Sequence, residues 1–273
     1  MKKILSLVLV LMLAVTMFTA CGEKAANNGE NNAVENFAIA CELTSEEYGI
    51  GFRKGSDLTE VVNGFILELK EDGTLDALAE KYSLTIADLE AKETEEAILK
   101  DLDYVKANGK LVIGITDYEP MNYKDANDEW TGFDTEFALA VCEKLGVEAE
   151  FVEIEWDNKF FALESKAIDC IWNGMTISDE VLLNTSCSLP YVKNAQVVVM
   201  SAENAEKYTD AASMADLTFA VESGSAGASA AEDCGFTNVV EAGTQTDAYL
   251  ELTSGSCDAC IIDLTMANAM LRK

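Results

Sequence analysis

From residue 110 onward the chain is written as two successive runs in which strand-length apolar stretches alternate with helical patterns, and this alternation constrains the fold more than any other feature. In the first run, strands are predicted at 111–116, 149–154 and 168–172, separated by helices at 134–145 and 159–164. Asn173, Gly174, Met175 and Thr176 are expected to leave the third strand, after which Ser178 can cap a short helix. In the second run, strands at 194–200, 219–222, 239–240 and 259–264 alternate with a helix opening in the turn SGSAG, one at 244–252 and a last one through Met270. Strands separated by helices imply crossover connections, so each run predicts a mostly parallel sheet flanked by helices, an α/β fold.

The stretch EEYGIGFRKGSDLTEVV, residues 46–62, complicates this reading. It has the alternation of a strand (Tyr48, Ile50, Phe52), a Lys-Gly turn, and a helix with Leu58, Val61, Val62, Phe65, Ile66 and Leu69 on one face. Asp57 with Glu60 makes a capping-box pattern, and a second helix follows Gly73, carrying Leu75, Leu78 and Tyr82. No complete β-α-β unit precedes this strand, so its sheet must be supplied by later residues. The second run is in turn one strand short, and FAIACE at 37–42 is a strand without a neighbour. Residues 84–106, rich in Ala, Glu, Lys and Leu, are expected to be a helical connector.

The chain opens MKKILSLVLVLMLAVTMFTACGE, with two lysines, an apolar run over 4–18, small residues and Cys21. About 15 apolar residues fall short of the ~20 that span a bilayer, which predicts a secretory signal over 1–20. The residues before Cys21 resemble a bacterial lipobox, which would make Cys21 the lipidated first residue of the mature protein; the alternative is an uncleaved anchor. Residues 21–36 have almost no large apolar side chain and read as a flexible tether. Nineteen basic against 49 acidic residues, no histidine and a formal charge of -30 exclude a nucleic-acid partner. Of the seven cysteines after Cys21, six sit inside apolar patterns (Cys41, Cys142, Cys170, Cys187, Cys234 and Cys260), and an odd number cannot all pair, so mostly free thiols are expected. The CDAC at 257–260 leads into a strand instead of opening a helix, against a redox role. Without histidine no zinc site is expected, and no cofactor is called for.

Several stretches resemble the extracellular solute-binding proteins of family 3, the receptors for polar amino acids that serve ABC importers. GITDYEPMNYKDANDEWTGFDTEFALAVCEKLGV is similar to the family's first strand, ligand loop and first helix; WNGMTISDE to its central binding segment; SLPYVKNAQVVVM to its first crossing between lobes; VESGSAGASA and DACIIDLTMA to second-lobe elements. The resemblance implies a two-lobed clamp whose α/β lobes are joined by two crossing strands and close on a ligand. It also implies a monomer on the extracellular face of the membrane, with a permease as partner and an amino acid or amine as ligand. The segment from 42 to 82 is similar to the one that normally closes such proteins, so a circular permutation is expected, with 84–106 as its connector, 43–195 as lobe 1, and 37–42 with 196–273 as lobe 2. The alternative is a duplicated fragment fused in front, which would leave a second copy after Lys273, where none follows.

By matching motif, Asp263 would take the ligand's ammonium, Tyr118 and Trp156 would surround its side chain, and Asn173, Gly174 and Thr176 would contact it from the strand exit. Ser225 opens a helix in a Gly-rich turn, a ready anion site. Plainer alternatives are a solvated strand-end acid for Asp263, core packing for the aromatics and a helix cap for Ser225. One departure stands out: the family's carboxylate-binding arginine is replaced by Val181, leaving backbone donors, Ser225, Lys159 or Lys193 for any carboxylate. The expected function is therefore binding of an amino acid or related small polar solute, cationic amines included, without catalysis. Two other classes stay open: a lyase-type enzyme on the same scaffold, with Glu119, Asp134 and Glu222 as acid-base groups, and a ligand-sensing domain, against which the lack of a spanning segment after Lys273 weighs.

Overall fold

The structure, a computed structural model, describes residues 36–90 and 96–272. The expected signal segment 1–20, Cys21 and nearly all of the expected tether 21–36 lie outside the described residues, as do 91–95 of the expected connector.

The front of the chain forms β1 (Phe37–Glu42), β2 (Glu46–Arg53), α1 (Leu58–Glu71), α2 (Thr74–Tyr82) and α3 (Asp101–Asn108). The first run follows as β3 (Lys110–Ile115), a short hairpin of β4 (Tyr123–Lys124) and β5 (Trp130–Thr131), α4 (Phe133–Leu145), β6 (Glu148–Glu153), α5 (Lys159–Glu164), β7 (Cys170–Thr176), α6 (Asp179–Asn184), β8 (Thr185–Cys187) and β9 (Val192–Asn194). The second is β10 (Gln196–Ser201), α7 (Ala202–Ala205), β11 (Phe219–Glu222), α8 (Ala226–Asp233), β12 (Val239–Ala242), α9 (Gln245–Thr253), β13 (Ala259–Asp263) and α10 (Leu264–Leu271). Ser178, Ser225 and Thr244 each accept from the backbone N–H three residues on and so start α6, α8 and α9.

Two sheets form the cores of two lobes. The first has the order β6-β3-β7-β2-β8 with β9 also on β2, and the second the order β1-β10-β13-β11-β12. Pairing is parallel inside the strand-helix runs (β3 with β6 and β7, β11 with β12 and β13) and antiparallel wherever β1, β2 or β10 takes part. The strand at 46–53 thus joins a sheet whose other members lie more than 50 residues further along the chain. β1 supplies the missing edge of the second sheet, with Phe37 opposite Ser201 and Glu42 opposite Val197. Consecutive strands β1 and β2 belong to different sheets, as do β9 and β10. These two crossings run side by side and antiparallel, Glu46 lying opposite Asn194.

β2 is an interior strand, which explains its composition. Tyr48, Ile50 and Phe52 are wholly buried, worth roughly 1.5–3 kcal/mol each. At Gly49 a Cβ would fall 2.7 Å from the Cys187 sulfur. α1 buries Leu58, Val62, Ile66 and Leu69, the face its spacing predicts. Its capping box does not form: the Asp57 side chain makes no bond to its own helix and instead accepts from the Leu102 N–H at 2.9 Å, capping α3.

Three further expectations are corrected. Among the described residues of the connector 84–106, helix begins at Asp101. Residues 85–87 run extended beside β9, where the Lys193 N–H donates to Thr85 O and the Ala87 N–H to Tyr191 O, while Ile98 and Leu99 donate to Gly55 O. An open strand edge offers these residues backbone partners that outweigh a small helical preference. Residues 173–176 do not leave the strand: β7 continues to Thr176, and a register shift against β2 absorbs Gly174 at φ 54°. Cys234 is exposed at the end of α8, and Phe236 takes the buried position beyond it. No disulfide forms among the described residues.

Candidate ligand cleft

Strand ends from both sheets face one another across a cavity of about 170 Å³. From the second lobe come Glu222 at the end of β11, Asp263 at the end of β13, and Gly224 and Ser225 leading into α8. From the first come Asn173, Gly174, Met175 and Thr176 of β7, Val181 of α6, Trp156, and Lys159 at the start of α5. Glu46, where β2 begins, closes the hinge side. Ligands of open α/β sheets collect outside the carboxyl ends of strands, which is where this cavity lies. A larger cavity of about 290 Å³ beside α1 is lined by first-lobe residues alone, so closure of one lobe on the other cannot form it.

Asp263 is held by three amides. Its Oδ1 accepts from Asn194 Nδ2 and from Gln196 Nε2 (2.8 Å), and its Oδ2 accepts from Gln245 Nε2, while its own N–H donates to Gln245 Oε1 at 2.9 Å. The amides of Asn194 and Gln196 also donate to Glu46 Oε1, at 2.7 and 2.8 Å, and the Thr176 hydroxyl adds a third bond there at 2.8 Å. Burial first, and the neighbouring Glu46 next, push Asp263 up to about 8. Glu222 is likewise pushed up to about 8, by burial and then by Asp263, with Lys159 opposing. Lys159, lowered by burial, donates to Trp156 O (3.3 Å) and, across the cleft, to Gly224 O (2.9 Å).

Six of the seven expected binding residues, Trp156, Asn173, Gly174, Thr176, Ser225 and Asp263, line this cavity. Tyr118 does not. It is buried, and its hydroxyl bonds those of Tyr48 and Thr265, so it lies behind the site with its ring against Gly174. A cis Glu119-Pro120 bond and the turn closed by the Asn122 N–H on Tyr118 O carry the loop inward there, and no periodic signal in the sequence marks that path. The Asn173 side chain bonds the Thr116 backbone and hydroxyl, fixing the loop after β3. Lys193 is turned away from the cleft and pairs with Asp88. Asp134 is sealed beneath the cleft, where it accepts from the Gly174 N–H and the Tyr191 hydroxyl. Sequence reasoning missed Glu46, Asn194, Gln196 and Gln245, because each earns its place only through partners on another strand or helix.

The profile of bacterial extracellular solute-binding proteins, family 3, matches residues 111–249, half of the chain. The chain belongs to that family. The L-cystine-binding protein TcyJ of Escherichia coli is 38% identical over 91 residues, which are 33% of this chain and 34% of that protein. The chain therefore spans about a third of the length of this curated relative. The arginine-bound form of truncated ArgBP from T. maritima superposes with a TM-score of 0.60 at 32% identity, covering 62% of this chain and 81% of that one. A more distant relative is an enzyme, the cyclohexadienyl dehydratase of Pseudomonas aeruginosa, 27% identical over 135 residues, 49% of this chain and 48% of that protein. The matched region begins at β3.

Proposed function

We propose that this family member is the lipid-anchored, extracellular substrate-binding component of an ABC importer, and that it takes an amino acid or a related small polar solute between lobes formed by residues 43–195 and by 37–42 with 196–273. One observation carries the reading: a cavity lined by strand ends of both sheets, with a buried carboxyl, Asp263, at its floor. Asp263 receives the solute's ammonium, Trp156 covers its side chain, and Gly174, Thr176 and the first turn of α8 behind Ser225 meet its polar groups. Asn173 and Tyr118 shape the wall from behind. The anchor is Cys21, the membrane partner a permease, and the working form a monomer.

We also infer that the chain is a circular permutant of the family. β2 and the α1–α2 pair sit in the first sheet's lobe although they precede its other strands, and the family match starts only at residue 111.

A thermal-shift screen of the protein lacking residues 1–21 against amino acids, amines and small peptides tests the receptor reading. A ligand at a hundred times its dissociation constant raises stability by ~2.7 kcal/mol. Asp263→Ala is expected to abolish the shift while the protein stays folded, and an undiminished shift would remove Asp263 from the site. Chemical conversion of a bound solute would replace the receptor reading with the enzyme one.

A further inference from the structure

The cleft contains a carboxyl oxygen that the protein itself does not answer. Glu222 is 3% exposed and lines the cavity, and its Oε1 has no hydrogen-bond partner. A buried polar atom in a native fold is ordinarily bonded, so one that faces a cavity unpaired points to a group that arrives from outside. The charged groups acting on Glu222 are Asp263, Lys159 and Asp247. Only Lys159 is a cation, and two of its three N–H donors go to the carbonyls of Trp156 and Gly224. Glu222 and Asp263, at the ends of the adjacent parallel strands β11 and β13, line the same cavity, so a cation entering it meets both carboxyls.

On the opposite wall the cation that an anion could meet is Lys159, already bonded to two carbonyls. Val181 presents an aliphatic side chain to the cavity, and neither arginine of the chain lines it: Arg53 is tied to Asp101 and Asp169 at 3.0 and 3.1 Å, and Arg272 lies past the end of α10. The Ser225 hydroxyl accepts from the Ala228 N–H, and Glu180 and Asp233 also line the cavity.

We propose that the solute is an organic amine whose cationic head is held jointly by Glu222 and Asp263, and that binding requires no carboxylate on it. This rests on the cavity being the ligand site of a solute receptor, and it narrows that reading. The incoming cation supplies the donor that Glu222 Oε1 lacks and offsets the repulsion between the two carboxyls, so both ionise fully on binding and a proton is released.

Isothermal titration of the purified protein with agmatine and 1,5-diaminopentane, beside their carboxylate-bearing counterparts L-arginine and L-lysine, decides the matter. The amines are expected to bind at least tenfold more tightly than the matching amino acids. Glu222→Gln, of nearly the same shape, is expected to weaken amine binding at least tenfold while the protein still unfolds cooperatively. Should that variant not fold, titration of the native protein in two buffers of different ionisation enthalpy reads the proton release directly, and its absence near pH 7 overturns the shared-carboxylate site. Tighter binding of an amino acid than of its decarboxylated counterpart, or undiminished amine affinity in the Glu222→Gln protein, overturns the proposal and leaves the receptor reading standing. If all four probes fail while another amino acid shifts the melting temperature, the proposal alone falls; if no solute does, both fall.

Discussion

Asp263 accepts from three amides, which favours its charged form, and yet burial beside Glu46 pushes it up to about 8; Glu222, with fewer bonds, reaches about 8 as well. In an unfolded chain such carboxyls titrate near 4. Between about pH 4 and 8 the folded state therefore holds protons that the unfolded state has lost, and the stability these groups contribute at low pH disappears as pH rises through that window. We expect the melting temperature of the ligand-free protein to fall from pH 5 to 9 more steeply than that of Glu222→Gln; parallel slopes measured by scanning calorimetry would refute this account of Glu222. A cationic ligand reverses the effect, so the stabilisation it confers should grow across the same interval.

At the scale of elements, the turn from β11 into α8 touches the opposite lobe. Gly224 sits at φ 66°, a Cβ placed there would lie 2.8 Å from the Asp157 Cα, and its carbonyl receives Lys159 Nζ from the opposite lobe. Only glycine combines that backbone angle with that proximity. Gly224→Ala is expected to keep the lobes apart and weaken ligand affinity at least tenfold, about 1.4 kcal/mol, with little change in the ligand-free melting temperature; titration calorimetry with any ligand from the screen provides the check. The segment between α2 and α3 obeys a similar logic in reverse. Its residues have a composition suited to helix, and the edge of β9 and the carbonyl of Gly55 draw part of it into extended backbone instead.

For the whole molecule, β1 and β2 enter two different sheets from the front of the chain, and this makes chain order separable from architecture. A rearranged protein that starts at Lys110, runs to Lys273 and continues through a short flexible linker into residues 36–108 should fold and bind as the native one does. Breaks in surface loops are the ones folds tolerate. Loss of cooperative unfolding or of ligand binding in the rearranged chain would show that the order of segments matters beyond the pairing of strands.

Much of the architecture was readable before any coordinates. Alternation at Tyr48, Ile50 and Phe52, the apolar face of α1, and the caps at Ser178 and Ser225 are local codes, written within a few residues of where they act. Such codes specify elements and, through their alternation, the α/β class. The inward path of Tyr118, the continuation of β7 past Gly174, the cap that Asp57 gives to α3, and the amide bridge by which Asn194 and Gln196 join Glu46 to Asp263 were decided by tertiary structure alone. Each depends on a partner from another element. Hydrogen bonding and desolvation act through space, whereas patterning and capping act along the chain.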